Sequence, residues 1–164
     1  MKEILALSVL CTSVAFVLPS YGQTRKQEYG AQIEINAAPD IIWKKEIDVT
    51  NWPKWDTGLD KANLEGSFQQ GAKGIMVDRE GRNIKFKIVE VEPNNKIIIE
   101  IQLPGGKMYL DRRLVVQTNG KVMLSHSVYF TGWIGGMIGK SLKKKYQNMV
   151  PQTVLLFKNQ AESR

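Results

Sequence analysis

Two side chains have both the chemistry and the sequence placement to act on a bound molecule, His126 and Arg112. His126 is the sole histidine, and it alternates in phase with Val122, Leu124, Val128 and Phe130. A strand would therefore turn it to the face of four apolar residues. There it can serve as a general acid/base or as a hydrogen-bond partner for a ligand. The plainer alternative is a satisfied histidine of the strand. Arg112 keeps step with Met108, Leu110, Leu114 and Val116. A guanidinium on an apolar face must be paired or wetted. Its forked donors suit the carboxylate or anionic headgroup of a ligand, and suit a structural ion pair equally well. One extra residue in that strand would turn Arg112 outward and Arg113 inward.

Four tryptophans come next: Trp43, Trp52, Trp55 and Trp133. Large aromatics stack on hydrophobic ligands or fill a core. Trp133 and Met137 stand one helical turn apart, as a lip over a cavity or as packing on a loop. The carboxylates Glu46/Asp48 and Asp56/Asp60 fall near helix ends and turns, where a solvated role is expected. Other chemistries lack their residues. The only cysteine is Cys11, and no motif surrounds a Ser/His/Asp set. One histidine without cysteine partners makes no zinc site. Gly135, Gly136 and Gly139 do not have the spacing of a phosphate loop. No cofactor or metal is expected.

The elements that position these residues follow from periodicity. Residues 29–36 alternate as a first strand. Pro39 suits the first turn of a short helix over 38–45, and residues 51–55 form a second helical turn. Residues 59–65 look extended. Ile84, Phe86 and Ile88 then alternate, with a slip at Val89 and Val91 that predicts a bulge. Ile97, Ile99, Ile101 and Leu103 mark the next strand, and the faces of Arg112 and His126 mark the two after it. Asn119-Gly120 between those two is a hairpin signal. Short turns make this run an antiparallel meander with one apolar face.

After Gly132 the period changes from two to about 3.6. Ile134, Ile138, Leu142, Met149 and Leu156 share one side of a helix, flanked by Tyr146, Thr153 and Phe157. Lys140, Lys144, Gln147 and Lys158 fall opposite. Such a stripe needs a surface to cover, and the sheet supplies it. Gly135 and Gly139 lie on the stripe side and would leave room between helix and sheet. Pro151 predicts a kink or a division of the helix.

Several sequence features resemble the START-like (SRPBCC, helix-grip) superfamily, in its polyketide cyclase/dehydrase and lipid-transport branch. These are the element order, Ala38-Pro39-x-x-x-Trp43, Trp52-x-x-Trp55, Glu90-Val91-Glu92-Pro93, and the glycine-rich entry to a lysine-rich last helix. The resemblance runs from about Tyr29 to Glu162. It implies an α+β fold in which a curved seven-stranded antiparallel sheet wraps a long C-terminal helix. Two short helices would connect strands one and two, and an apolar cavity would lie between sheet and last helix. The cavity residues it points to are Trp55, Ile97, Ile99, Ile101, Leu110, Arg112, His126, Trp133, Gly135, Met137, Ile138 and Gly139. Many members of such families bind ligands without catalysis.

Residues 1–22 read as a secretory signal, with Lys2, an apolar run over 4–18, and small residues at Ser20 and Gly22. Cleavage before Gln23 leaves residues 23–164 as one domain in an exported protein, periplasmic or secreted. The alternative is retention as an N-terminal membrane anchor. Cleavage removes Lys2 and Glu3 together, so the net charge stays at +7. That charge admits an anionic membrane surface, and export argues against nucleic acid. Three functions fit this pattern. The first is a monomeric binding or carrier domain for a small hydrophobic, lipid-like ligand. The second is a cyclase or dehydratase using His126 and Arg112. The third is a membrane-surface protein acting through the lysine-rich helix.

Overall fold

A computed structural model describes residues 26–163 apart from residue 134, so the signal segment expected over 1–22 lies outside the described residues. From the second strand onward the chain turns back on itself through short loops, which places each strand antiparallel beside the last. The elements run β1 (Lys26–Ile35), α1 (Pro39–Ile47), a 3-10 helix (Val49–Lys54), β2 (Leu59–Leu64), β3 (Lys73–Asp78), β4 (Asn83–Glu92), β5 (Lys96–Leu103), β6 (Gly106–Val116), β7 (Val122–Thr131) and α2 (Gly135–Glu162). One sheet holds all seven strands, in the order β1-β7-β6-β5-β4-β3-β2. The two short helices carry the chain from one edge strand to the other, and β1 closes onto β7. This is the helix-grip architecture, with α2 packed chiefly on β1 and β7.

Local chemistry accounts for most of these elements. Pro39 opens α1 after an extended Ala38, where a missing N–H costs nothing. The pairing of β4 with β5 shifts register between Ile88 and Glu90, at the bulge expected from the slip at Val89. Pairing of β6 with β7 runs without a shift from Lys107 to Val116, which fixes Arg112 inward. Arg113 faces the other way, where its Nε and Nη2 both donate to Asp111 at 2.9 Å.

Two expectations need correction, and one element was not foreseen. Strand β3 has a six-residue sequence with Lys73 and Gly74 at its start and an exposed Ile75, so alternation is weak there. Pro151 does not divide α2, which runs on to Glu162. Pro151 and Gln147, whose carbonyl it cannot serve, are both exposed, so the missing bond falls on the solvent side. The apolar stripe is also rotated. Its fully buried members are Tyr146, Val150, Thr153, Val154, Phe157 and Ala161, whereas Ile138, Leu142, Met149 and Leu156 are only half-buried.

The far end of α2 is tied to β1. Lys158 Nζ donates to the Glu34 carbonyl at 2.7 Å and to Glu162 Oε1 at 2.6 Å, and Asn36 N–H donates to the same Glu162 oxygen at 2.6 Å. Packing beneath this end is dense. Trp52 meets Phe86 with ring centres 5.6 Å apart, and Trp55 meets Phe157 edge-on at 5.0 Å.

Candidate functional site

Arg112 lies deep in that dense end. Its Nη1 donates to Glu46 Oε2 at 3.1 Å, with the two side chains 3% and 2% exposed. Glu46 reaches it because α1 turns Ile42 and Glu46, one helical turn apart, to the same buried side. The guanidinium carbon lies 4.6 Å from the ring centre of Trp55 and 5.1 Å from that of Trp52. Trp52 Nε1–H in turn donates to the Glu46 carbonyl at 2.8 Å, tying the 3-10 helix to α1. Burial pushes the Glu46 carboxyl up, and the adjacent guanidinium opposes that shift.

His126 is the direct cross-strand neighbour of Arg112. It is buried, and among the described residues its Nδ1 meets no hydrogen-bond partner, as is true of Arg112 Nη2 and Thr153 Oγ1. Burial first, and the Arg112 charge second, hold its pKa well below the usual imidazole value. A neutral imidazole and a guanidinium already held by a carboxylate make a structural set. Arg112 is thus an ion pair inside the core, and it has no direct line to a ligand in the cavity.

The cavity lies at the other end of the helix–sheet interface, with a volume of about 640 Å³. Its roof is the first half of α2, through Ile138, Leu142, Tyr146 and Met149. The sheet contributes Met76, Ile101, Leu103, Met108, Leu110 and Phe130 as an apolar floor. At the side, Asp56 and Gly58 enter from the loop after the 3-10 helix. Charged residues Asp78, Arg82, Lys85 and Lys145 also line it, with the amides of Asn83 and Gln102. Asp78 and Arg82 hold each other, Nε to Oδ2 at 2.7 Å. Tyr146 donates its hydroxyl to Met108 Sδ at 3.1 Å, and burial together with the Asp56 charge pushes its pKa up to about 12. Gly132, just after β7, lies close against the β5–β6 turn. Its φ is +87°, and a Cβ there would fall 2.7 Å from the Gly105 carbonyl oxygen.

The residues expected in the cavity therefore divide. Ile101, Leu110 and Ile138 line it. Trp55, Ile97, Ile99, Arg112 and His126 share the inward face but belong to the packed end. Along β5, the step from Ile101 back to Ile99 and Ile97 leads away from the void and toward Arg112, the partner of Ile97. Trp133 and Met137 point to solvent, at 75% and 64% exposed. The room expected beside Gly135 and Gly139 falls among residues whose surroundings lie outside the described set. Glu46 and Asp56, expected to be solvated, are both buried, whereas Asp48 and Asp60 are exposed. The Ile42–Glu46 spacing carries a signal for Glu46; nothing in the sequence marks Asp56.

Comparison with known proteins agrees with this architecture. The family model described as polyketide cyclase / dehydrase and lipid transport matches residues 26–152. No curated protein sequence matches the chain. Among solved structures, truncated norcoclaurine synthase from Thalictrum flavum aligns with a TM-score of 0.66 at 13% identity, covering 87% of this chain and 96% of that one. A START superfamily protein from Mycobacterium smegmatis aligns at 0.63 and 12% identity, covering 83% and 97%. The di-domain ARO/CYC StfQ of the steffimycin biosynthetic pathway aligns at 0.65 and 15% identity, covering 82% of this chain and 50% of its own. Identities this low bear on the fold alone. The family model spans most of the chain, so this protein belongs to the polyketide cyclase/dehydrase and lipid-transport family of the START-like superfamily.

Proposed function

We propose that the protein is an exported binding or carrier domain for a small hydrophobic or amphipathic, lipid-like molecule held between the sheet and α2. The observation that carries this is the cavity of about 640 Å³, within the range of small-molecule sites, with an apolar floor and roof and its polar groups gathered at one side. Affinity would come from apolar area removed from water, at roughly 25 cal/mol per Å² before the costs of association. The test is native mass spectrometry of protein purified from cells, with solvent extraction of what co-purifies. A bound small hydrophobic mass supports the proposal. A protein that is empty and takes up no added hydrophobe overturns it. Export rests on residues 1–22, and a mature N-terminus at Gln23 in the exported fraction would support it.

Catalysis by His126 and Arg112 draws no support from the geometry, because neither lines the cavity and Arg112 is held by Glu46. A second role at a membrane surface has one specific observation in its favour. Trp133 and Met137 stand exposed beside Lys140, Lys143, Lys144 and Lys145, all exposed as well. An exposed aromatic next to lysines suits an anionic bilayer interface. Co-sedimentation with phosphatidylglycerol vesicles but not with phosphatidylcholine vesicles would support that role. Equal sedimentation with both, or none at low salt, would dismiss it.

A further inference from the structure

Two buried acids stand in the cavity wall: Asp78, held by Arg82 at 2.6 Å, and Asp56, fixed through backbone bonds. Its N–H donates to the Trp52 carbonyl at 2.8 Å, its carbonyl accepts from Leu59 N–H at 3.1 Å, and its Oδ1 accepts from Gly58 N–H at 2.9 Å. Gly58 beside it has no spare room, since a Cβ there would sit 3.1 Å from Met149 Sδ and 3.2 Å from Asp56 Oδ1. The residue is only 8% exposed, yet it lines the cavity.

The cations around this acid, Arg112, Arg79 and Lys145, act on it from beyond ion-pair distance. One buried cation, Arg112, acts on both Glu46 and Asp56, and its Nη1 donates to Glu46 at 3.1 Å. No ion pair with Asp56 forms among the described residues. Burial pushes the Asp56 carboxyl up, against the downward pull of Arg112, the Gly58 N–H, Arg79 and Lys145, and the net rise favours the neutral acid and its O–H donor. Apart from the Gly58 N–H, no hydrogen bond to the Asp56 carboxyl forms among the described residues. Lys85 and Lys145 lie in the same lining, so a cationic ligand would meet like charge there.

We propose that Asp56 is the polar anchor of the cavity. The ligand class is then an apolar molecule ending in a neutral oxygen, a hydroxyl or ketone carbonyl, that accepts a hydrogen bond from Asp56. This rests on the cavity being a ligand site, and the test separates the two. The probes are methyl nonyl ketone, undecane and undecylamine, titrated into the full-length exported protein and followed by NMR. One hydrogen bond to a buried donor should favour the ketone over the alkane by about tenfold. Asp56→Leu should reduce that ratio to near one, while Asp56→Asn, which keeps a neutral donor and the oxygen for Gly58 N–H, should preserve it.

A second readout needs no variant. The resonance of a carbon-13 label at the ketone carbonyl should move downfield on binding, as it does when a carbonyl accepts a hydrogen bond. Binding of ketone and alkane with equal affinity, or tighter binding of the amine, would overturn the anchor and leave the cavity intact. An unmoved carbonyl resonance in the bound ketone would do the same. Failure of all three probes to bind would remove both.

Discussion

The two ends of the α2–sheet interface are built from the same inward-facing strand positions and end in opposite states. At one end Val150, Thr153, Val154, Phe157 and Ala161 press on residues that include Trp52, Trp55 and the Arg112–Glu46 pair, and the space is filled. At the other, Ile138, Leu142, Tyr146 and Met149 cover Met108, Leu110 and Ile101, and about 640 Å³ remains open. The filled end holds the Arg112–Glu46 pair with Trp52 and Trp55, while the open end has an apolar floor and a polar side that includes Asp56, Asp78, Arg82, Lys85 and Lys145. This division separates holding the fold from holding a ligand. Buried polar residues, which are tempting as catalysts, can belong to the first task.

The comparison can be broken most forcefully at the ion pair. Arg112→Met leaves Glu46 buried without its cation and should cost about 3–5 kcal/mol. Arg112→Met with Glu46→Leu should recover much of that loss. Urea denaturation measures both, and a single variant as stable as wild type would show that Arg112 is not structural. Matched leucine truncations come next. Leu124→Ala, in the filled end, should cost about 3 kcal/mol or more, because a cavity is left behind. Leu142→Ala, at the existing void and half-buried, should cost less than about 1.5 kcal/mol. Equal losses would mean that the two ends do not differ in packing.

Acid should also act on the filled end. Folded His126 is held neutral, while the unfolded chain takes up a proton near pH 6.5, so unfolding binds protons and acidification favours it. Between about pH 7.5 and about 5.5, wild type should lose stability relative to His126→Gln, at up to about 1.4 kcal/mol per pH unit. A constant difference between the two proteins would contradict the buried neutral imidazole. The smallest effect lies on the surface. Trp133→Ala should change stability by less than about 0.5 kcal/mol, with any loss confined to vesicle binding.

The face of each strand was legible in the sequence, because a period of two tells which side chains point inward. Arg112 and His126 were placed inward on that basis, and they lie there. Position along that face was not legible. Ile97, Ile99 and Ile101 share one alternation, yet Ile101 alone of the three reaches the cavity. A void depends on how elements distant in sequence fit together, and no local period encodes that. The stripe of α2 shows the same limit. The period of about 3.6 residues marks the helix, but the buried line through Val150 and Val154 is set by the sheet it meets. Asp56 follows Trp55 in a loop, where burial comes from tertiary placement and leaves no pattern.

The most direct test is a methyl-resolved NMR titration of the protein with undecane. Perturbed methyl groups should cluster at Met76, Ile101, Leu110 and Leu142, with those of Leu124, Val128 and Ile97 unmoved. Leu110→Trp, which fills the void, should abolish the perturbations while the protein stays folded. Perturbations centred on Leu124 and Val128, or uptake undiminished in Leu110→Trp, would contradict the division of the interface into a filled end and an open one.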